Sequence, residues 1–256
     1  MGLLGRAARR LLRSLGDVPA LDPVSDLQHL LGSQPVRNVL DVGGCFGDYA
    51  RRFAETWPDA RVWTFEPNPE SYARLAEEFA SHPKIRTVPK GVWNEPGELE
   101  FFLNKWPGAC SVFDRPHDGP SYHNPRAVHV DRTLVEVMRL DDWAREEGVE
   151  QVDLLKLDIQ GAELRALEGA ADLLKRTRCI LTEVHYYPNY DGASLLDEVW
   201  GHLRTRGFSL YQLYSNWGAS DGQLVQGDAV FVSEAVRNER LHSRRDRPFE
   251  AVKYHL

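Results

Sequence analysis

Leu40-Asp41-Val42-Gly43-Gly44-Cys45-Phe46-Gly47-Asp48 joins an apolar run at 37–42 to a helical pattern at about 48–56. Three glycines in five positions mark a tight turn between a strand and a helix. Glycine lets the backbone bend sharply there and approach a ligand closely. The helix that follows presents unsatisfied N–H groups at its start, and these suit a carboxylate or a phosphate. A strand, a glycine turn and a helix in that order open a β-α-β unit.

The rest of the chain repeats the alternation. A second strand at 61–65 ends in Glu66-Pro67-Asn68-Pro69, and a helix runs over about 70–80. Asn68 can cap that helix, and Pro69 suits its first position. Further strands are expected at 85–88, 97–103, 128–137, 152–157 and 179–184, with helices at 140–147, 162–176 and 194–206. Segments 208–214 and 229–232 read as a closing antiparallel pair. Residues 104–124 read as a long loop, a candidate lid or substrate loop. The expected fold is a doubly wound, mostly parallel seven-stranded α/β sheet of the Rossmann-like class. It occupies one domain at 37–235, between a helical extension at 1–36 and a charged tail at 236–256.

Composition narrows the function. A net charge of −7 gives no electrostatic support for nucleic-acid binding. No apolar run approaches the roughly 20 residues of a membrane span. Cys45, Cys110 and Cys179 lie far apart with no zinc spacing, which fits free thiols in a reducing, cytoplasmic setting. Residues 1–16 place leucines on one helical face with arginines beside them. They are a candidate membrane-surface contact, against a plain helix packed on the domain or a partner.

Glu66 stands about 20 residues beyond the glycine turn, at the end of the next strand, where a carboxylate can accept hydrogen bonds from both ribose hydroxyls. Turn and acid together point to an adenosine-containing cofactor. A nicotinamide fingerprint needs GxGxxG. Counted from Gly43, its later glycines fall on Cys45 and Asp48; counted from Gly44, on Phe46 and Tyr49. Neither register fits.

Four stretches then carry a family resemblance: LDVGGCFGDYA at 40–50, WTFEPNPESYARL at 63–75, LLKLDIQGAELRALEGA at 154–170 and ILTEVHYY at 180–187. The chain resembles the FkbM family of S-adenosylmethionine-dependent methyltransferases over about 38–233. The resemblance implies that Asp41, Gly43, Gly44 and Gly47 form the methionine end of the cofactor pocket. It implies that Glu66 holds the ribose with Asn68 nearby, and that Gly91-Val92-Trp93 lies by the adenine. Cys45 and Gln160 depart from the family pattern, which has a small polar residue and commonly Glu at those positions.

In an open α/β sheet, ligands gather at the carboxyl ends of the strands. Two strands deliver polar groups there, one through Asp158, Gln160 and Glu163, the other through Glu183 and His185. Asp158 is the first candidate for acceptor-side chemistry, as base or metal ligand. His185 is the alternative base, and Glu183 a partner or metal ligand. Asp158, Glu183 and His185 together could hold Mg2+. The competing readings are a helix cap for Asp158, a helix-dipole partner for Glu163 and a structural role for His185. The expected acceptor is a hydroxyl on a small molecule or glycan, a sugar or another secondary metabolite. Trp93, Trp106, Tyr122, Tyr186, Tyr187, Tyr190 and Trp217 could stack on it. N-methylation and a non-catalytic cofactor-binding scaffold are the alternatives.

Overall fold

The computed structural model describes residues 22–32, 34–115, 129–219 and 222–241. Its elements run α1 (Pro23–Leu31), β1 (Asn38–Val42), α2 (Asp48–Thr56), β2 (Arg61–Phe65), α3 (Pro69–Phe79), β3 (Ile85–Val88), β4 (Gly91–Val92) and β5 (Gly97–Asn104). Then come β6 (His129–Met138), α4 (Leu140–Glu146), β7 (Val152–Leu157), α5 (Glu163–Glu168), β8 (Thr177–His185), α6 (Leu196–Arg204), β9 (Phe208–Gly218), β10 (Leu224–Ser233) and α7 (Glu234–Val236). Seven strands form one sheet in the order β3-β2-β1-β7-β8-β10-β9. Only β10 runs against its neighbours. This is the expected doubly wound α/β sheet, and β9 and β10 are its antiparallel closing pair.

Both faces of the central strands are buried, so their apolar residues split between two layers. Leu40, Val42, Leu155, Leu157 and Ile180 face α4, α5 and α6. Val39, Val62, Leu154, Cys179 and Leu181 face α1, α2 and α3. Helix α1 belongs to the second layer: Leu27 and Leu30 are fully buried, Tyr214 donates to Asp26, and Asp22 caps the helix start. Residues 1–16, the candidate membrane contact, lie outside the described residues. Among those described, no helix is long and apolar enough to cross a membrane.

The strand register sets the polar chemistry. Asp41 on β1 lies opposite Thr64 on β2 and Lys156 on β7. Glu183 on β8 lies opposite Asp228 on β10. A second, three-stranded sheet of order β4-β6-β5 stands beside the carboxyl ends of β1 and β2. The part of the expected loop at 104–124 that is described, up to residue 115, turns back on this sheet, since Ser111 and Phe102 exchange backbone hydrogen bonds; residues 116–124 lie outside the described residues.

The continuous helix expected at 162–176 does not form. Helix α5 stops at Glu168, and a single 3-10 turn follows at Leu173–Arg176. Two contacts break it. A Cβ on Gly169 would sit 2.1 Å from the Trp93 carbonyl, so this backbone packs directly on its neighbour. The Asp141 carboxylate accepts from the amides of Asp172 and Leu173, which capture donors that a continuing helix would use itself.

Leu30→Ala should lower the unfolding free energy by about 3 kcal/mol, because it empties a fully buried site. Urea denaturation would measure this. A loss below about 1 kcal/mol would show that α1 is not part of the cooperative core.

Candidate active site

The glycine turn is tied to the end of β2: the amides of Gly43 and Gly44 both donate to the Phe65 carbonyl, at 3.0 and 2.9 Å. Gly43 adopts φ 84°, and a Cβ there would fall 1.9 Å from the Asp158 carbonyl. Only glycine lets the ends of β1 and β7 approach this closely. Gly47, also at φ 84°, begins α2 without a side-chain cap, leaving the helix N–H groups uncapped beside the turn.

Beneath the turn lies a buried ion pair. Lys156 Nζ is 3.0 Å from Asp41 Oδ1 and donates to the Gly43 carbonyl at 2.9 Å. Thr64 Oγ1 donates to the other Asp41 oxygen. Burial alone would strip the proton from Lys156, but the charges of Asp41 and Asp158 outweigh it and hold the ammonium. Asp41, expected at the methionine end of the pocket, is thus fully buried behind the turn. It acts on the turn through Lys156.

In front of the turn opens a concave cleft lined by both sheets, the form that small-molecule sites take. Gly43, Glu66, Val92 and Asp158 line it, together with Phe101, Val135 and Val137 of the small sheet. Gly44 and Gly47 pack against Thr64 and Phe79, and Asn68 caps α3, so these three support the wall. Glu66 is the polar centre. Its two oxygens accept from the amides of Cys45 at 2.7 Å and Asn68 at 2.8 Å. Each oxygen keeps a lone pair for a ligand hydroxyl. Burial pushes the Glu66 carboxyl up to about 7 and the Cys45 thiol up to about 12, which makes Cys45 a poor nucleophile.

At the end of β7, Asp158 remains partly exposed at the cleft wall, with 38% of its side chain accessible. It does not cap α5, which starts after Ala162 without a side-chain cap. Its Oδ1 accepts from Gln160 Nε2 at 2.8 Å, and its Oδ2 lies 3.8 Å from Lys156 Nζ. The same Gln160 nitrogen donates to Glu183 Oε2 at 2.8 Å, while Gln226 Nε2 holds Glu183 Oε1 at 2.7 Å. Burial and the charges of Asp158 and Asp228 push the Glu183 carboxyl well up.

His185 is fully buried, and burial lowers its pKa. Gln226 turns its nitrogen to Glu183 and its oxygen to Asn189 Nδ2, 3.0 Å away. Asn189 Nδ2 lies 3.4 Å from His185 Nδ1, and His185 Nε2 lies 3.4 Å from Glu183 Oε2. His185 is absent from the cleft wall, and the role of alternative base does not suit that position.

The expected metal set is also corrected. Among the described residues, the group that converges is Glu163, Glu183 and His185, within 4.8 Å of one another, and Asp158 is not in it. Magnesium does not fit these three. It prefers oxygen ligands and retains several waters, whereas this set is buried, one member offers a ring nitrogen, and Gln donors already engage both Glu183 oxygens. Glu163 itself accepts from the Ile159 amide, so it closes the turn before its own helix.

Two contributors escaped the sequence reading, Asp228 and the small sheet. Asp228 carries a carboxyl raised to about 6 by burial and by the charge of Asp158. The small sheet supplies an apolar wall. Tyr190, one of several aromatics expected near the acceptor, is fully buried and donates to Gln160 Oε1 at 2.8 Å. Trp106 and Trp217 stay exposed, and Tyr122 lies outside the described residues. Alternation along β10 could have flagged Asp228, because it shares a face with the buried Val230 and Val232.

Comparison with known proteins agrees with this geometry. The family model described as "Methyltransferase FkbM domain" matches residues 41–210. The 2-O-methyltransferase NoeI of Sinorhizobium fredii is 32% identical over 161 residues, covering 60% of this chain and 65% of that one. The chain therefore spans just under two thirds of that relative. The 31-O-demethyl-FK506 methyltransferase FkbM of Streptomyces tacrolimicus is 28% identical, covering 72% and 77%. The hexuronic acid methyltransferase AglP of Haloferax volcanii is 23% identical, covering 66% and 69%.

Glu163 offers a test of the buried cluster. Burial lifts its carboxyl from the ordinary 4.5 to about 7. Between those values the folded chain binds more protons than the unfolded one, so this group costs stability as pH rises through the window. Glu163→Gln keeps an acceptor for Ile159 and removes the charge. It should raise the melting temperature at pH 8 by several degrees and change it by no more than about 1 °C at pH 5. Equal changes at both pH values would refute the burial account.

Proposed function

The chain belongs to the FkbM family of S-adenosylmethionine-dependent methyltransferases, and we propose that its acceptor is a hydroxyl oxygen on a sugar, a glycan or another small molecule. The observation that carries this reading is Asp158. It is a carboxylate at the cleft wall, anchored through one oxygen and with the other beside only a distant ammonium. A neutral alcohol must lose its proton as it attacks, and a carboxylate so placed can take it. The names of the relatives lend support, since two are O-methyltransferases and the third is a hexuronic acid methyltransferase.

The residues present fit the cofactor. Glu66 supplies acceptors for two ribose hydroxyls. Val92, Phe101, Val135 and Val137 offer an apolar slot for the adenine. The turn at Gly43 and the uncapped start of α2 suit the methionine carboxylate. The cofactor supplies an electrophilic methyl group on a positively charged sulfur. The protein orients the acceptor, excludes water and receives the proton at Asp158.

Calorimetric titration with S-adenosylmethionine should show micromolar binding. Glu66→Ala should weaken it at least tenfold, on the order of one charge-assisted hydrogen bond, with the melting temperature kept. Unchanged affinity would remove the ribose assignment. Asp158→Asn should slow methylation of methyl glucoside or methyl glucuronide on the order of 10²-fold or more, with cofactor affinity retained. Methylation of an amino sugar at nitrogen, with neither glycoside accepted, would overturn the hydroxyl reading.

A further inference from the structure

Gln160 is one of the few non-glycine residues in the left-handed region among those described, at φ 56°. A residue of this kind is held there by its surroundings, and such strain collects at functional sites. Here the surroundings are explicit. Ser111 Oγ donates to the Gln160 carbonyl at 2.8 Å, and Tyr190 donates to the side-chain oxygen. Tyr190 is itself held by Arg115, which donates to its hydroxyl at 3.1 Å and stacks over its ring. With Oε1 accepting from Tyr190, the amide nitrogen must face the other way, toward two carboxylates. It reaches both at 2.8 Å.

We propose that Gln160 is a positioning residue for methyl transfer: its single amide nitrogen ties Asp158 Oδ1 to Glu183 Oε2 and leaves Asp158 Oδ2 for the acceptor proton. A donor shared by two carboxylates favours the charged form of each. It also fixes one Asp158 oxygen, so that the other has a defined position. This inference rests on the reading of Asp158 as the base.

The groups around Asp158 make the amide necessary. Asp41 approaches from β1, Tyr49 from α2, Glu183 and His185 from β8, and Asp228 from β10, with Cys45 and Tyr190 on the adjoining loops. Among these described groups Lys156 is the cation nearest to Asp158, and it is closer to Asp41 than to Asp158; Arg115 stands behind Tyr190. Without Gln160, Asp158 and Glu183 would face each other with no donor between them.

The test uses two variants. Gln160→Gly accepts the left-handed backbone without strain, so it removes the amide while keeping the turn. Gln160→Glu keeps the side-chain length and replaces the donor with a third carboxylate. Carbonyl-13C NMR titration of aspartate-labelled protein, with the Asp158 signal assigned through Asp158→Asn, should show the midpoint rising by about one pH unit in both variants. The acidic limb of kcat/KM on the glycoside accepted above should move the same way. Turnover at pH 7 should fall on the order of tenfold or more, with S-adenosylmethionine affinity within about threefold. An unmoved NMR midpoint in both variants overturns the inference. A moved midpoint with an unmoved acidic limb supports the hold of Gln160 on Asp158 but removes Asp158 as the base, so the two readings fail separately.

Discussion

The ammonium of Lys156 lies between Asp41 and Asp158 at the carboxyl end of the sheet, and it also holds the carbonyl of Gly43. Through those contacts one buried charge joins β1, β7 and the glycine turn, and Thr64 extends the link to β2. Breaking such a pair from one side leaves an unpaired charge in the interior, a cost of several kcal/mol. The arrangement needs the parallel register that sets Asp41 between Thr64 and Lys156. A slip of one residue would turn the whole row to the other face. Sheet pairing, turn geometry and the position of Asp158 are therefore one constraint.

The cleft divides its work between two kinds of surface. The large sheet contributes the polar edge, with Glu66 at the end of β2 and Asp158 at the end of β7, on either side of β1. The small sheet contributes apolar side chains opposite that edge. A nucleoside has the same division, a flat base and a hydroxylated sugar. Glu66 can serve the sugar because the amides of Cys45 and Asn68 already hold its carboxylate in place. Little reorganisation remains to be made when a ligand arrives.

Local features of the sequence were readable because they are local. The turn announces itself through Gly43, Gly44 and Gly47, whose missing side chains are the requirement, and Glu66 stands at a strand end at the expected distance. Asn68 is followed at once by the helix it caps. Long-range contacts left no such mark. Asp141 interrupts the helix expected at 162–176 from 31 residues away. Gln160 reads as an ordinary turn residue until β8 brings Glu183 beside it. His185 looks like a base in the sequence because its unperturbed pKa suits the task, yet its burial follows from the loop after β8, whose Leu195 pairs with it. Glu163 takes the place of Asp158 beside Glu183 and His185 for the same reason: proximity is decided by how helix starts meet strand ends.

Charge also bears on turnover. Asp41, Glu66, Asp158, Glu183 and Asp228 surround one buried ammonium, and several of these carboxyls are raised chiefly by burial, with the neighbouring negative charges adding to it. A site with that surplus favours a ligand that brings a positive charge over an otherwise similar neutral one, since the attraction acts where water is scarce. Methyl transfer converts a positive sulfur to a neutral thioether. The same carboxylates that favour the charged cofactor therefore hold the spent one less tightly. In the proposed reaction the acceptor proton, passing to Asp158, would lower the negative charge by one just as the positive charge departs, so the charge of the site would stay close to balance.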